Sequence, residues 1–429
     1  MKKIIFAIVI TFCAIPLKAQ LQWQVLGPMP YPVSGGQVVY DINSQSNKIY
    51  IFGGYSDSLQ SAVDWIQEYD VVKNSWQIVG HMLQPRDQFV ADIWKNSVMY
   101  FGGTTDASTD KNAIEAWDYR IVSNLASVYD RNKNFGRSFS TGHIVGDNFY
   151  IIGGDPLNPN DTLAYVSAYN FNTKQNGFSF KYPTSTTISQ RMTFIVGDNI
   201  YILGGVINGV INSIQRFNIQ EQKLYDLQES LLEPRAAGAA VYNPISQKAF
   251  IIGGYNERAS AMNTVEQIEI LPNGTLKITQ SVPLTYARTN LMAVAYKNGF
   301  VAVFGGRTDR GHSGKVVSYV ELLVDKTSEV NHENKLPAEF KLFQNYPNPF
   351  NPTTQITFQL ASKSDVSLDI FSVLGQHIKT LEKGMFEPGT YRIFWNGQDE
   401  FNDLVPSGIY FLQLRSGNFI QTKKMVMLK

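Results

Sequence analysis

A short run of apolar and aromatic residues that ends in two glycines occurs six times in this chain. The first copy reads Lys48-Ile49-Tyr50-Ile51-Phe52-Gly53-Gly54. The six glycine pairs are Gly53-Gly54, Gly102-Gly103, Gly153-Gly154, Gly204-Gly205, Gly253-Gly254 and Gly305-Gly306, and the first glycines follow one another at steps of 49, 51, 51, 49 and 52 residues. A period near 50 indicates a repeat architecture. Each run predicts a buried strand that ends where the backbone needs positive φ or a close approach to a neighbour.

Each repeat unit predicts four strands in a fixed order. A strand such as Thr141–Val145 comes first, followed by a hairpin turn and the glycine-pair strand. After a variable loop come a strand ending near an aromatic residue such as Tyr69 and a last strand such as the one around Trp76. The sixth unit lacks its last strand, because the chain turns polar after Val324. The first strand candidate, 21–27, is similar to the segment 75–80 and is expected to fill that gap and close a ring.

The order of glycine pair, Tyr-Asp or Tyr-Asn, and a later aromatic residue resembles the kelch repeat. The best matches are Tyr69-Asp70 with Trp76, and Tyr169-Asn170, whereas the fifth unit departs from the pattern with Ile268-Glu269. The resemblance covers about residues 21–324. It implies an all-β fold, a six-bladed kelch-type β-propeller over residues 20–324 closed by the N-terminal strand.

The chain changes character after the sixth unit. Residues 325–341 are polar without a strand period and are predicted to be a linker. Residues 342–429 predict a small β-sandwich, with strands at Gln355–Leu360, Val366–Ser372, Gly389–Trp395, Gly408–Arg415 and Met425–Leu428.

This last segment resembles the C-terminal sorting domain of type IX secretion cargo. The matching segments are 345–352, 373–376, 407–411 and the terminal 423–429. The resemblance implies that the type IX secretion machinery is a partner. It also implies that the product is secreted or displayed on the outer surface of a two-membrane bacterium. The alternative is an ordinary cell-adhesion β-sandwich.

Residues 1–19 fit a signal peptide. Lys2 and Lys3 precede the apolar run Ile4–Leu17, and cleavage is expected after Ala19. The alternative, a membrane anchor, is disfavoured because the run is short and interrupted by Pro16, and no later stretch predicts a membrane span. The one cysteine, Cys13, lies in this segment, so cleavage would leave no thiol for disulfides, metal ligation or nucleophilic catalysis.

Composition narrows the possible partners. Hydrophobic residues make up 44% of the chain, aromatic residues 13% and charged residues 17%, which favours a large core built from strands. The net charge of +1 argues against bulk electrostatic binding, so no nucleic acid partner is predicted.

The most regular polar feature is an arginine close to the first strand of five units. These residues are Arg86, Arg137, Arg191, Arg235 and Arg288. If they lie around a common axis, their guanidiniums could bind the carboxylate of an acidic sugar or peptide at one mouth of the channel. The alternative is structural: each arginine bonds backbone carbonyls and fixes the ring.

Nothing in the sequence indicates a metal or a cofactor. The five histidines form no ligand pattern, and neither a nucleophile elbow nor a phosphate loop occurs. Aspartates recur in the variable loops after the glycine pairs, where turn capping explains them better than metal binding. They are Asp57, Asp106, Asp155, Asp161 and Asp309.

Three functions are consistent with the sequence. The first is a secreted or cell-surface binding propeller that recognises an extracellular protein or glycan through its variable loops and arginines. The second is a carbohydrate-active enzyme, because some bacterial kelch propellers are sialic acid mutarotases. Copper-radical oxidases also use kelch propellers, but they need a Cys–Tyr crosslink that a chain without a mature cysteine cannot form. The third is a structural spacer in a surface assembly. An enzyme is less favoured than a binding protein, and the ligand is not identified.

Overall fold

The structure is a computed structural model that describes most of the chain from residue 21 onwards. The described residues are 21–41, 46–71, 75–104, 112–119, 126–132, 136–156, 165–181, 188–296, 299–310, 314–325, 339–345, 348–350, 354–386, 389–401 and 403–428. The predicted signal peptide and most of the predicted linker lie outside them. Within these ranges the chain forms strands and turns but no helix, so no helix there is long and apolar enough to cross a membrane.

The described residues up to 325 form 28 short strands. They are β1 (Leu21–Pro28), β2 (Gln37–Val39), β3 (Lys48–Phe52), β4 (Tyr55–Ser56), β5 (Ser61–Ala62), β6 (Trp65–Asp70), β7 (Ser75–His81), β8 (Val90–Trp94), β9 (Ser97–Phe101), β10 (Ala113–Asp118), β11 (Ser127–Arg131), β12 (Arg137–Ser138), β13 (Thr141–Val145), β14 (Asn148–Ile152), β15 (Asp155–Pro156), β16 (Val166–Asn170), β17 (Gln175–Phe180), β18 (Met192–Val196), β19 (Asn199–Leu203), β20 (Ser213–Asn218), β21 (Lys223–Ser230), β22 (Ala239–Asn243), β23 (Lys248–Ile252), β24 (Val265–Ile270), β25 (Leu276–Gln280), β26 (Met292–Ala295), β27 (Val301–Phe304) and β28 (Tyr319–Asp325).

Twenty-four of these strands build six four-stranded antiparallel sheets, which we number as blades 1 to 6. From the inner to the outer strand they are β2-β3-β6-β7, β8-β9-β10-β11, β13-β14-β16-β17, β18-β19-β20-β21, β22-β23-β24-β25 and β26-β27-β28-β1. The inner strands contact one another in the order β2, β8, β13, β18, β22, β26 and back to β2, so they surround a central channel. The predicted β-propeller is therefore confirmed.

The first strand closes the ring, as expected from the sequence. β1 pairs with β28 from Leu21 opposite Asp325 to Pro28 opposite Tyr319, with Trp23 opposite Leu323. The indole Nε1 of Trp23 donates a hydrogen bond to the carbonyl of Val282 at 3.0 Å. Blade 6 is thus built from both ends of the propeller chain, which joins the two ends without a covalent bond.

The glycine pairs connect each blade to the next one. In five pairs the first glycine has φ between 52° and 60°, and in all six the second has φ between 87° and 100°. The N–H of the second glycine donates to a carbonyl at the start of the following blade. Gly54 of blade 1 donates to Arg86 at 2.7 Å, and Gly306 of blade 6 donates to Val33 of blade 1 at 3.2 Å. A Cβ on Gly305 would lie 2.1 Å from the Val33 oxygen, so only glycine fits there.

The second part of the chain forms two sheets around one apolar core. Its strands are β29 (Lys341–Leu342), β30 (Thr354–Leu360), β31 (Ser364–Ser372), β32 (His377–Phe386), β33 (Gly389–Trp395), β34 (Gly408–Ser416) and β35 (Phe419–Met427). The sheets have the orders β29-β30-β33 and β32-β31-β34-β35, and both contribute to a core that includes Trp395 and Leu412. Strand β32 lies in a stretch for which the sequence predicted no strand. The predicted domain boundaries stay predictions.

Candidate functional site

The five arginines predicted to bind a ligand are buried in the propeller. Arg86, Arg137, Arg191, Arg235 and Arg288 are all at most 6% exposed. Each donates through Nη1 to the carbonyl of a first glycine, as from Arg86 to Gly102 at 2.7 Å and from Arg288 to Gly305 at 3.0 Å. These bonds hold the end of a glycine-pair strand against the loop that enters the same blade.

Three of the arginines also form buried ion pairs. Arg86 lies 2.5 Å from Glu115, Arg235 lies 2.7 Å from Glu266, and Arg288 lies 2.6 Å from Glu321, with all six side chains fully buried. The carboxylates accept backbone N–H groups as well, such as that of Leu232 on Glu266 at 2.8 Å. The pKa values of Arg235 and Arg288 are lowered, because the effect of burial exceeds the opposite effect of the neighbouring carboxylates.

The three glutamates occupy the same position on the third strand of blades 2, 5 and 6. Counted from blade 1 to blade 6, that position holds Gln67, Glu115, Ser167, Gln215, Glu266 and Glu321. This series was not predicted from the sequence, although in blades 1 to 4 each member lies two residues before the aromatic residue of its strand. In blade 1 the arginine position holds Val33 and the acid position holds Gln67, so both charges are replaced together.

Arg191 reaches the same partners from a different position. In blade 4 Ile188 occupies the place that arginine has in its neighbours, and its carbonyl accepts the N–H of Gly154. Arg191 comes three residues later, yet its guanidinium donates to the Gly204 carbonyl and to Oε1 of Gln215 at 2.9 Å. Ligand binding by the five arginines therefore stays a prediction, and it would require these internal bonds to open.

A closed ring of backbone hydrogen bonds surrounds one end of the channel. We call its six residues the rim: Gly35, Gln88, Phe139, Gln190, Ala237 and Asn290, one from each blade. Each N–H donates to the carbonyl of the rim residue in the preceding blade, at 2.8, 2.7, 3.0, 3.0, 3.1 and 2.7 Å in that order. All six have φ between 49° and 66°. Five residues with a Cβ adopt this disfavoured conformation, which the ring of bonds maintains.

The rim side chains are mostly neutral amides and an aromatic ring. Oε1 of Gln190 accepts the hydroxyl of Tyr255 at 2.7 Å, which leaves its amide N–H groups to face other partners. Gln88 lies over Gly35, where a Cβ would come within 2.5 Å of its Nε2. The guanidinium of Arg310 lies 5.9 Å from the centre of the Tyr255 ring. This end of the channel therefore presents hydrogen-bonding groups on a rigid backbone.

Below the rim lies a cavity of about 260 Å³ that all six inner strands line. These strands are the edges of their sheets, so backbone N–H and C=O groups without a ladder partner face the channel. Polar side chains come from the inner strands of blades 1 to 4 and from the rim, with Gln37, Asp92 and His143 among them, whereas the inner strands of blades 5 and 6 contribute alanines such as Ala239 and Ala293. The lining of the cavity is therefore mainly polar.

Two titratable side chains in the cavity have shifted pKa values. Burial raises the pKa of Asp92 to about 6, although its carboxylate accepts the N–H groups of Ile93 and Ile144. Burial lowers the pKa of His143 to about 4, although the ring bonds the Thr193 hydroxyl at 3.0 Å. At pH 7 the cavity therefore holds a carboxylate and a neutral imidazole.

The low pKa of His143 predicts a loss of stability in acid. An unfolded histidine is protonated below about pH 6.5, whereas folded His143 stays neutral down to about pH 4. The stability that the neutral imidazole contributes is fully present above about pH 6.5, decreases as the pH falls, and is lost once the pH falls through about 4. We expect the melting temperature of the wild type to fall more steeply over this range than that of His143→Asn. NMR titration of the imidazole checks the pKa, and a value near 6.5 would contradict the burial argument.

Two aspartates of the loops after the glycine pairs make contacts within the propeller, one between blades and one within blade 3. Asp57 forms an ion pair with Arg307 at 2.9 Å and accepts the N–H of Val316 at 2.7 Å, which links blade 1 to blade 6. Ser138 pairs with Asp155 in the short β12–β15 ladder. Asp106 and Asp161 lie outside the described residues. Within the described ranges no group of three or more His, Cys, Asp or Glu side chains could hold a metal ion.

Comparisons with known proteins agree with both resemblances found in the sequence. Residues 17–205 match the family model of the KLHDC2/KLHL20/DRC7 Kelch-repeats domain, and residues 344–428 match that of the secretion system C-terminal sorting domain. A type IX sorting domain points to secretion or attachment to the outer cell surface. No curated protein matches the chain.

The solved structure of YjhT is similar to this chain. The TM-score is 0.55 and the identity 14%, over 70% of this chain and 99% of the other. At this identity the similarity shows the fold alone.

Proposed function

We propose that this protein, a kelch-repeat β-propeller followed by a type IX sorting domain, is exported and binds an extracellular protein or glycan with the rim end of its channel. The sorting domain supports a location outside the cell. The rim supports binding at that end, because loops held by a rigid scaffold are where propellers carry recognition.

The observation that carries the proposal is the closed ring of six backbone hydrogen bonds around a polar cavity. The ring fixes the rim side chains before a ligand arrives, so binding costs little ordering entropy. The bond from Tyr255 orients the amide of Gln190, and Gln88 and Asn290 add two further amides. Such groups suit the hydroxyls of a glycan or the amides of a peptide.

Binding is favoured over catalysis by the contacts of the arginines, including Arg191, which borders the cavity but donates to Gly204 and Gln215. A carbohydrate-active enzyme of the mutarotase kind would need guanidiniums that face its substrate. Arg86, Arg235 and Arg288 instead bond glutamates inside the blades.

The test is a glycan and peptide array probed with the full-length protein and with rim variants. We expect Gln88→Ala and Gln190→Ala each to weaken binding to the array ligand by about tenfold, since each removes about one ligand hydrogen bond. Both variants keep a Cβ at the same positive φ, so the backbone strain is unchanged.

Gln220→Ala is the matched control. Gln220 is exposed in the turn between β20 and β21, at the opposite end of blade 4 from the rim. We expect it to bind like the wild type. Rim variants that bind as well as the wild type, or an array without any ligand, would contradict the proposal.

A further inference from the structure

Two pairs of aromatic residues, made of three exposed tyrosines and the half-buried Trp65, lie on either side of the seam where the propeller closes. In blade 6 the rings of Tyr286 and Tyr319 are stacked, with centres 5.1 Å apart and planes at 8°. In blade 1 Tyr31 packs against Trp65 with centres 5.2 Å apart. The three tyrosines are 36%, 40% and 43% exposed, in the order Tyr286, Tyr319, Tyr31. We call these four residues the aromatic platform.

The platform spans the seam through the closing strand. Pro28, the last residue of β1, is the register partner of Tyr319, and Tyr31 follows three residues later. Three residues of chain reach at most about 10 Å, so the two pairs are neighbours. The equivalent third-strand positions of blades 2, 4 and 5 hold Ala113, Ser213 and Thr264, which do not extend the platform.

The backbone beneath the platform is held by buried polar side chains. Nη1 of Arg288 donates to the carbonyl of Tyr319 at 3.1 Å, and Glu321 accepts the N–H of Tyr286 at 3.3 Å. In blade 1 the amide of Gln67 donates to the carbonyl of Tyr31 at 3.0 Å. The rings are thus presented on fixed backbone, which lowers the entropy cost of stacking a ligand on them.

The three segments that present the exposed tyrosines contain no charged residue. They are 21–34, 281–287 and 316–320, in a chain in which 17% of residues are charged. They carry instead tyrosine hydroxyls and exposed prolines at positions 28, 30 and 283. Beside Trp65, the His81 ring and the Asp64 carboxylate lie 3.2 Å apart and bond each other, whereas the tyrosine segments themselves offer a ligand no charged side chain. Flat rings bordered by hydroxyls suit the C–H face and the hydroxyls of a sugar ring.

We propose that the aromatic platform binds a neutral polysaccharide by stacking sugar rings on Tyr286, Tyr319 and Tyr31. This goes beyond the rim binding proposed above, because it uses other residues and names the ligand class. The ligand lies across the seam between blades 6 and 1.

The experiment is affinity gel electrophoresis of the full-length protein in gels that contain a neutral β-glucan, a neutral mannan, a neutral xylan or the charged polygalacturonate. We expect at least one neutral polysaccharide to retard the wild type and polygalacturonate to leave its migration unchanged. Tyr286→Ala and Tyr31→Ala are each expected to weaken the retarding interaction by about tenfold. Both side chains are exposed, so unchanged thermal unfolding checks that the variants are folded.

Three controls separate this proposal from others. Phe401→Ala removes an aromatic ring that is 85% exposed in the second part of the chain and should migrate like the wild type. Tyr286→Phe keeps the ring and should retain most of the affinity. Gln190→Ala changes the rim and should leave polysaccharide binding intact. Binding to none of the neutral polysaccharides, to polygalacturonate alone, or equally by the two alanine variants and the wild type would overturn the proposal.

Discussion

Deletion of residues 21–28 is expected to abolish the cooperative unfolding transition of the propeller. Without β1, strand β28 loses its outer partner and exposes a row of N–H and C=O groups. The deletion also removes Leu21 and Trp23 from the apolar cluster between blades 5 and 6, which includes Leu323. We expect a broad, early thermal transition and aggregation on size-exclusion chromatography.

A synthetic peptide of residues 20–31 provides the matched control. Added to the shortened protein, it should restore a sharp transition in proportion to its concentration, because binding to the folded state alone stabilises it. The same peptide with Trp23 and Val25 replaced by aspartate should not. A shortened protein that unfolds as sharply and at the same temperature as the wild type would mean that closure adds nothing to stability.

Arg235→Ala is expected to destabilise the propeller by about 3–5 kcal/mol, since it leaves the fully buried carboxylate of Glu266 without its counter-charge. Three further hydrogen bonds of the guanidinium are lost, namely those to the Gly253 carbonyl and to the carbonyl and hydroxyl of Thr264, together with the ion pair to Glu233 at 3.6 Å. Chemical denaturation measures the change in the free energy of unfolding.

Two variants make that measurement specific. The double variant Arg235→Met/Glu266→Leu removes both charges and should recover part of the lost stability, because no unpaired charge stays buried. Recovery should be incomplete, because the N–H groups of Leu232 and Glu233 lose their carboxylate acceptor. Lys277→Ala breaks the exposed pair with Glu269, at 3.7 Å, and should change the free energy of unfolding by less than about 1 kcal/mol. Equal effects of Arg235→Ala and Lys277→Ala would contradict the role assigned to buried pairing.

The sequence predicted the repeat and the closure of the ring because both depend on local patterns. Glycine is required at Gly53 and Gly305 by positive φ and by backbone oxygens within 2.6 Å of a Cβ position, so the repeat is visible in every blade. The closing strand was found because Trp23 repeats the pattern around Trp76.

The rim was not predicted because it depends on a backbone conformation. Gln88, Phe139 and Asn290 share a backbone conformation that is imposed by bonds to neighbouring blades, and no side-chain preference reports it. Residue type alone places Arg191 with the other arginines, although Ile188 holds the equivalent backbone position.

Strand β32 was not predicted because only Leu381 of its ten residues is buried, so the strand has no apolar alternation.

The pairing of Leu21 with Asp325 sets an order of events during biosynthesis. Strand β1 is synthesised about 300 residues before its partner β28, so blade 6 is completed last. Until β1 has paired, the open edge of β28 can pair with the β1 segment of another copy of the chain. Exchange between two molecules would give a reciprocal dimer, and exchange in one direction only would give head-to-tail strings. Dilution during refolding should therefore favour monomers.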